Sequence, residues 1–235
     1  MLKLSKMSSQ NPEIFHSIQG EGINSGDPSY FIRLSTCNLS CIWCDTKYTW
    51  DFRQFNYDDH VIELTDKEIL SYIDGNFCKH VVITGGEPLL QQKELISLAS
   101  EIYRLGLFCE LETNGTIEPD PLIIPYISQW NVSPKLSNSG NKLVSREVPS
   151  AYKSFAGMCN SYFKFVVSCP QDIEEILSLS SKYDLDRDKI LLMPEGTDAN
   201  ELINKSRWLV DLCTKYGFRY SPRLHILLWG NIQGT

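Results

Sequence analysis

Three cysteines, Cys37, Cys41 and Cys44, stand within eight residues in the spacing C-x3-C-x2-C. Three thiolates on one short loop can converge on a single centre. Iron–sulfur cubanes take cysteine ligands, usually four. With three at hand, one iron is left without a protein ligand, and an open coordination position separates a catalytic metal site from a structural one. Other readings stay open on these residues alone. A zinc site lacks a nearby fourth cysteine or histidine, since His16 lies upstream on a different element. A thioredoxin-like C-x-x-C would use Cys41 and Cys44 and leave Cys37 idle. Plain buried thiols are the third alternative.

The polar groups that accompany the triplet share one placement, and the elements beneath them explain it. Residues 13–19 read as a strand that turns at Gly20-Glu21-Gly22. Residues 30–34 are strand-like and deliver the cysteines on the loop beyond. Residues 80–83 form a continuous apolar run, as in a buried parallel strand, and end in Thr84-Gly85-Gly86-Glu87-Pro88. Strand 107–111 ends in Glu112-Thr113-Asn114-Gly115, strand 130–132 in Ser133-Pro134-Lys135, and strand 190–193 in Pro194-Glu195-Gly196. A further strand covers 162–167.

Helical patterns alternate with these strands. Thr65-Asp66-Lys67-Glu68 is a capping box opening a helix to about 73. Residues 89–105 put Leu95, Leu98, Ile102 and Leu105 on one face and stop at Gly106. Shorter pieces lie near 120–127 and 150–157, and longer ones at 172–183 and 201–216, the last capped by Asp198 and stopped at Gly217. The repeated strand–helix beat predicts one α/β domain over 1–235, an incomplete parallel β/α barrel of about six strands. In such folds the carboxyl ends of the strands form the active face, so the five motifs are expected to ring one pocket. Residues 1–11 read as a loose start and 136–149 as loop. Residues 45–64 read as an irregular insertion over the site, rich in aromatics (Tyr48, Trp50, Phe52, Phe55, Tyr57), and 223–230 as a last strand or apolar segment.

Each motif also has a plainer reading. Thr84–Pro88 by itself is a turn, and Asn114-Gly115 is a turn signal. Lys135 alone is an ordinary solvated cation. Arg33 and Lys164 are different, because each interrupts an apolar strand and must find a partner or a ligand. Arg33 has the fork geometry to hold a carboxylate by two bonds.

Composition narrows the class. The 235 residues are 42% hydrophobic and 22% charged, ordinary for a globular protein. A net charge of −7 argues against a broad nucleic-acid-binding face. No apolar run approaches the roughly 18 residues of a membrane span. The first residues, Met1-Leu2-Lys3-Leu4-Ser5-Lys6, have no apolar h-region behind them. The eight cysteines therefore read as belonging to a reducing cytoplasm, the five outside the triplet as core residues or free thiols.

The cysteine spacing after a first strand resembles the radical S-adenosylmethionine (SAM) superfamily. Glu13-Ile14-Phe15, Ser17-Ile18-Gln19-Gly20-Glu21-Gly22, Phe31-Ile32-Arg33-Leu34, Cys44-Asp45-Thr46-Lys47-Tyr48 and the Arg223-Leu224-His225 tail narrow the resemblance to the 7-carboxy-7-deazaguanine synthase family. The resemblance implies a [4Fe-4S] cluster on Cys37, Cys41 and Cys44, SAM on the open iron, and Mg2+ on the Thr46 hydroxyl. It implies SAM contacts at Gly86, Glu87, Glu112, Asn114, Ser133, Pro134, Lys135, Leu192, Met193, Pro194 and Glu195. It implies contacts to a pterin substrate at Ile18, Gln19, Gly20, Arg33 and Thr84. The implied reaction is radical ring contraction of 6-carboxy-5,6,7,8-tetrahydropterin to 7-carboxy-7-deazaguanine with loss of ammonia, on the route to queuosine and related deazapurines. A homodimer and a flavodoxin-like electron donor are implied as well. The rivals are a glycyl-radical-enzyme activating protein of the same superfamily and a non-catalytic metal-cluster binding protein. The family often uses its extreme C-terminus on the substrate, and the ending Asn231-Ile232-Gln233-Gly234-Thr235 carries no residue-by-residue match there.

Overall fold

The computed structural model describes residues 1–8 and 10–235. In chain order its strands are β1 (Leu2–Ser5), β2 (Ile14–Ile18), β3 (Pro28–Leu34), β4 (Val61–Leu64), β5 (His80–Gly85), β6 (Phe108–Thr113), β7 (Gln129–Val132), β8 (Ser161–Val167), β9 (Ile190–Pro194) and β10 (Arg219–Tyr220). The α-helices are α1 (Tyr57–His60), α2 (Asp66–Leu70), α3 (Gln92–Arg104), α4 (Leu143–Arg146), α5 (Pro149–Ala156), α6 (Asp172–Tyr183), α7 (Ala199–Tyr216) and α8 (Leu224–Trp229). The strands form a single sheet in the order β10-β9-β8-β7-β6-β5-β3-β1-β4, with β2 on β3 off that path. From β3 to β10 the pairings β3–β5–β6–β7–β8–β9–β10 are parallel. β1, β2 and β4 add antiparallel pairings at the β3 end. Among the described residues nothing pairs β10 with β4, so the sheet stays open as an incomplete barrel.

Side chains alternate across each strand, and the two faces differ in chemistry. Ile32, Leu34, Val81, Ile83, Leu111, Trp130, Phe163, Phe165, Ile190 and Leu192 are buried in one core shared with Leu95, Leu98 and Ile102 of α3, Phe155 of α5, Ile176 of α6 and Leu209 of α7. Each such aliphatic or aromatic side chain contributes about 1.5–3 kcal/mol on burial. Several intervening positions are polar: Arg33, Thr84, Glu112, Asn131 and Lys164 line a cavity on the opposite face, beside the apolar Phe31, Val166 and Met193. Register keeps them level, since Arg33 pairs with Thr84 and Glu112 with Asn131.

The capping box at Thr65 forms as read, with Thr65 and Glu68 exchanging bonds, although α2 ends at Leu70. Four segments differ from the sequence reading. Residues 1–11 include a strand, because Leu2 and Leu4 alternate into the core while β1 pairs with β4 and touches Leu34. Residues 45–64 are partly regular: a 3-10 turn at Lys47–Thr49, then α1 capped by the Asn56 side chain, then β4. Residues 136–149 contain α4. Residues 223–230 form helix α8 rather than a strand; only Ile226 of α8 is buried, while Leu228 and Trp229 are exposed. Among the described residues no helix is long and apolar enough to cross a membrane.

Candidate active site

The cysteine loop leaves β3 through a constrained corner. Thr36 has a φ of +76°, an unfavourable value for a β-branched residue. Two backbone bonds hold it, from the Thr36 N–H to the Thr49 carbonyl (2.7 Å) and from the Glu87 N–H to the Thr36 carbonyl (2.8 Å). Gly86 closes against this corner. A Cβ there would stand 2.1 Å from the Thr36 oxygen and 3.0 Å from Cys37 Cβ, so only glycine fits.

All three thiols line one cavity of about 370 Å3. Each sulfur meets an N–H donor: Leu39 N at 3.4 Å and Asn114 Nδ2 at 3.9 Å from Cys37, Asn141 Nδ2 at 3.2 Å from Cys41, and Trp50 Nε1 at 3.3 Å from Cys44. Burial pushes the Cys37 thiol up to about 12 and raises Cys41 as well. Among the described residues no three His, Cys, Asp or Glu side chains group tightly enough to hold a single metal ion. Zinc draws all its thiolates to about 2.3 Å from one point. A cubane instead takes each thiolate on a separate iron. Three soft donors opening into one cavity, each with an N–H donor at its sulfur, fit the cluster.

Beside the thiols lie Gly86, Asn114, Ser133, Lys135, Met193, Pro194 and Glu195, all cavity-lining. Among the described residues Lys135 has no acidic partner; its ammonium donates to Ser133 Oγ (2.9 Å) and sits 5.7 Å from the centre of the Trp43 ring. Glu87, Pro134 and Leu192 do not line the cavity. Leu192 points to the helix side by strand alternation and is fully buried there. Glu87 is a brace: fully buried, it accepts from Leu89 N (2.9 Å), Thr113 Oγ1 (2.9 Å) and Asn114 N (2.6 Å). Burial raises its carboxyl above the usual range despite those donors.

Ile18, Gln19, Gly20, Arg33 and Thr84 also line the cavity. Arg33 Nε donates to Glu13 (2.7 Å), whose carboxylate also accepts from Tyr48 OH (3.0 Å) and Gln233 Nε2 (2.9 Å). Burial alone would lower the Arg33 guanidinium, but the Glu13 charge overcomes it and raises it. Both Nη groups of Arg33 make no bond among the described residues and remain available to a ligand. The Gln19 amide is turned inward, donating to Glu110 and, at 3.4 Å, to Glu112. Thr84 Oγ1 donates to the other Glu112 oxygen at 2.7 Å. Glu112 therefore stands with Thr84 and Gln19. Thr46 lines the cavity 3.7 Å from Cys44 Sγ.

A charged network closes the wall. Glu21 pairs with Lys164 and with Arg223 Nε (3.0 Å), and Arg223 also pairs with Asp45 and donates to the Gly196 carbonyl (2.6 Å). Burial alone would raise Glu21, yet Lys164 and Arg223 hold it far below the usual carboxylate range. Asp45 is likewise held low by Arg223 against its own burial. Residues 231–235 line the cavity, with Gln233 bonded to Glu13, and Gly20 packs so close to His225 that a Cβ would meet Nδ1 at 2.1 Å. Glu13, Glu21, Trp43, Trp50, Arg223, His225 and the tail were not singled out as site residues from sequence. Their signals are the Glu13-Ile14-Phe15, Gln19-Gly20-Glu21-Gly22 and Arg223-Leu224-His225 segments that carry the resemblance, and the aromatic density of 45–64.

Residues 18–116 match the family described as "4Fe-4S single cluster domain". The 7-carboxy-7-deazaguanine synthase of Pyrobaculum aerophilum is 41% identical over 94% of this chain and 95% of its own length. The chain belongs to the 7-carboxy-7-deazaguanine synthase family. The synthase of Halobacterium salinarum is 34% identical over 95% of the chain and 91% of that relative. The crystal structure of QueE from Escherichia coli superposes with a TM-score of 0.72 at 27% identity, covering 95% of this chain and 94% of that one. Within the synthase family frame, the cysteine loop, the Gly86 corner and the Arg33–Glu13 pair of this chain occupy one cavity.

Proposed function

We propose that the protein converts 6-carboxy-5,6,7,8-tetrahydropterin to 7-carboxy-7-deazaguanine with loss of ammonia, in deazapurine biosynthesis, through a single domain spanning 1–235. The observation that carries the reading is the meeting of a three-thiol loop with a polar strand-end wall in one cavity, within this family. A [4Fe-4S] cluster held by Cys37, Cys41 and Cys44, with SAM beside it, would supply the radical chemistry. Cys37, Cys41 and Cys44 hold the cluster and leave one iron open. Gly86 allows backbone approach, and Asn114, Ser133, Lys135 and the 193–195 segment surround SAM. Lys135, which makes no salt bridge among the described residues, suits its carboxylate. Arg33 offers its two Nη groups to the substrate carboxylate. Glu112, fixed by Thr84 and Gln19, accepts hydrogen bonds from N–H groups of the pterin edge, which places it with the substrate contacts. Thr46 offers a hydroxyl to Mg2+, which keeps oxygen ligands from water or substrate. Residues 231–235 exclude water at the mouth. A flavodoxin-like donor, a homodimer and a cytoplasmic setting complete the proposal.

The test is anaerobic. Cluster-reconstituted protein receives SAM, dithionite, Mg2+ and the carboxytetrahydropterin, and products are read by mass spectrometry. The expected result is 7-carboxy-7-deazaguanine, lost in Cys41→Ala. Reductive SAM cleavage with untouched pterin overturns the substrate assignment.

A further inference from the structure

We infer that Trp50 and Asn141 are positioning residues that set the reduction potential of the cluster, by donating hydrogen bonds to the sulfurs of Cys44 and Cys41. This rests on the cluster assigned to the three cysteines above.

The donors come from separate elements and reach separate thiols. Trp50 ends the 3-10 turn of Lys47–Thr49 and its backbone N–H is tied to the Lys47 carbonyl at 3.1 Å. Indole is a donor only, and its recorded partner is Cys44 Sγ at 3.3 Å. Asn141 follows the Ser137–Ser139 turn. Its amide orientation is fixed by its neighbours: Oδ1 accepts from the Ser40 N–H (3.0 Å), so Nδ2 faces Cys41 Sγ at 3.2 Å and Ser139 Oγ at 3.1 Å. Cys37 is served by the Leu39 backbone at 3.4 Å, with Asn114 at 3.9 Å behind it. The two side-chain donors thus lie in the segments 45–64 and 136–149, which strand–helix patterning left without a task.

The consequence follows from charge. Reduction moves one electron from an external donor onto the cluster, taking its core from 2+ to 1+. The added negative charge spreads onto the thiolate sulfurs. An N–H pointed at sulfur stabilises that charge more in the reduced state than in the oxidised one. Hydrogen bonds to cluster sulfurs are among the levers that set such potentials. Removing one donor makes reduction harder.

Trp50→Phe keeps an aromatic ring and deletes the indole N–H; Asn141→Ser deletes the second donor. Wild type, both variants and Trp43→Phe are reconstituted anaerobically, checked for iron content, and titrated against redox mediators with electron paramagnetic resonance. Trp43 is the control, because its Nε1 donates to the Asn138 carbonyl (3.1 Å) rather than to sulfur. Each donor variant is expected to show a reduced-to-oxidised ratio about tenfold lower at the wild-type midpoint, a shift of about 59 mV to lower potential for one electron. Trp43→Phe is expected to titrate as wild type. A wild-type midpoint retained in Trp50→Phe overturns the assignment while leaving the cluster reading intact. If Trp50→Phe fails to load iron, an unchanged midpoint in Asn141→Ser overturns it and a lowered one supports it. Wild-type protein that takes up no cluster overturns the proposed function and this inference together.

Discussion

Replacing Lys164 with methionine would remove one cation from a buried ion network and keep most of its aliphatic volume. The Lys164 side chain is 6% exposed and Glu21 14%. Glu21 would then retain Arg223, which it shares with Asp45, and His225 at 3.9 Å, while Glu112 would lose the same cation at 3.9 Å. Two unit charges about 4 Å apart interact by about 4 kcal/mol at an effective dielectric of 20, and deleting one partner of a buried pair costs about 3–5 kcal/mol. Because Arg223 stays, the expected loss lies at the low end, about 3 kcal/mol. Urea unfolding of the apoprotein at pH 7 measures it, with an unchanged m-value showing that the native state kept its extent. The pH dependence has a definite sign. Lys164 and Arg223 hold Glu21 far below its unfolded value, so its contribution is present above about pH 4.3 and is lost as pH falls through the folded value. Without Lys164 the folded value rises. The gap between wild type and variant is then widest at neutral pH and narrows below about pH 4. A loss under about 1 kcal/mol at pH 7, the range of an exposed pair, or a gap that widens on acidification, would refute the reasoning.

Glu13→Gln keeps the shape but removes the charge that fixes Arg33, so KM for the carboxylated substrate should rise about tenfold, equal to about 1.4 kcal/mol, with kcat changed less; steady-state kinetics decide. Gly86→Ala should fold yet fail to hold iron on reconstitution, since its Cβ would collide with the Thr36 carbonyl and press on Cys37; iron analysis beside far-ultraviolet circular dichroism separates the two effects. Leu4→Ala, at a fully buried position of β1, should cost about 2–5 kcal/mol in denaturant unfolding, whereas a loose N-terminal segment would lose almost nothing.

What could be read without coordinates followed the strength of the local signal. The run His80–Ile83 and the face Leu95, Leu98, Ile102 announce a buried strand and the helix that covers it, and β5 and α3 stand there. The placement of five polar motifs after strands also anticipated one cavity. β1 escaped because four residues of alternation, Leu2 to Ser5, are too short to distinguish from a tail until β4 is known to lie beside them. α8 escaped because a six-residue apolar stretch has no period to read. At the site, spacing singled out the cysteines. It could not show that Gln19 turns inward to Glu110, or that Leu192 falls on the helix side, since both depend on register. Arg223 and Lys164 meet over Glu21 from 202 and 143 residues away, a distance no local pattern spans.

That separation sets an order of events during synthesis. At 5–20 residues per second, about 10–40 s pass between the making of Glu21 and the making of Arg223. Over that interval the cysteine loop and most of the sheet exist while one wall of the cavity does not. A nascent chain paused between α7 and α8 carries Cys37, Cys41 and Cys44 beside a Glu21 and an Asp45 that still lack the Arg223 cation. The Glu21 network therefore closes only once the chain has been made through Arg223, so this wall of the cavity forms later than the cysteine loop it faces.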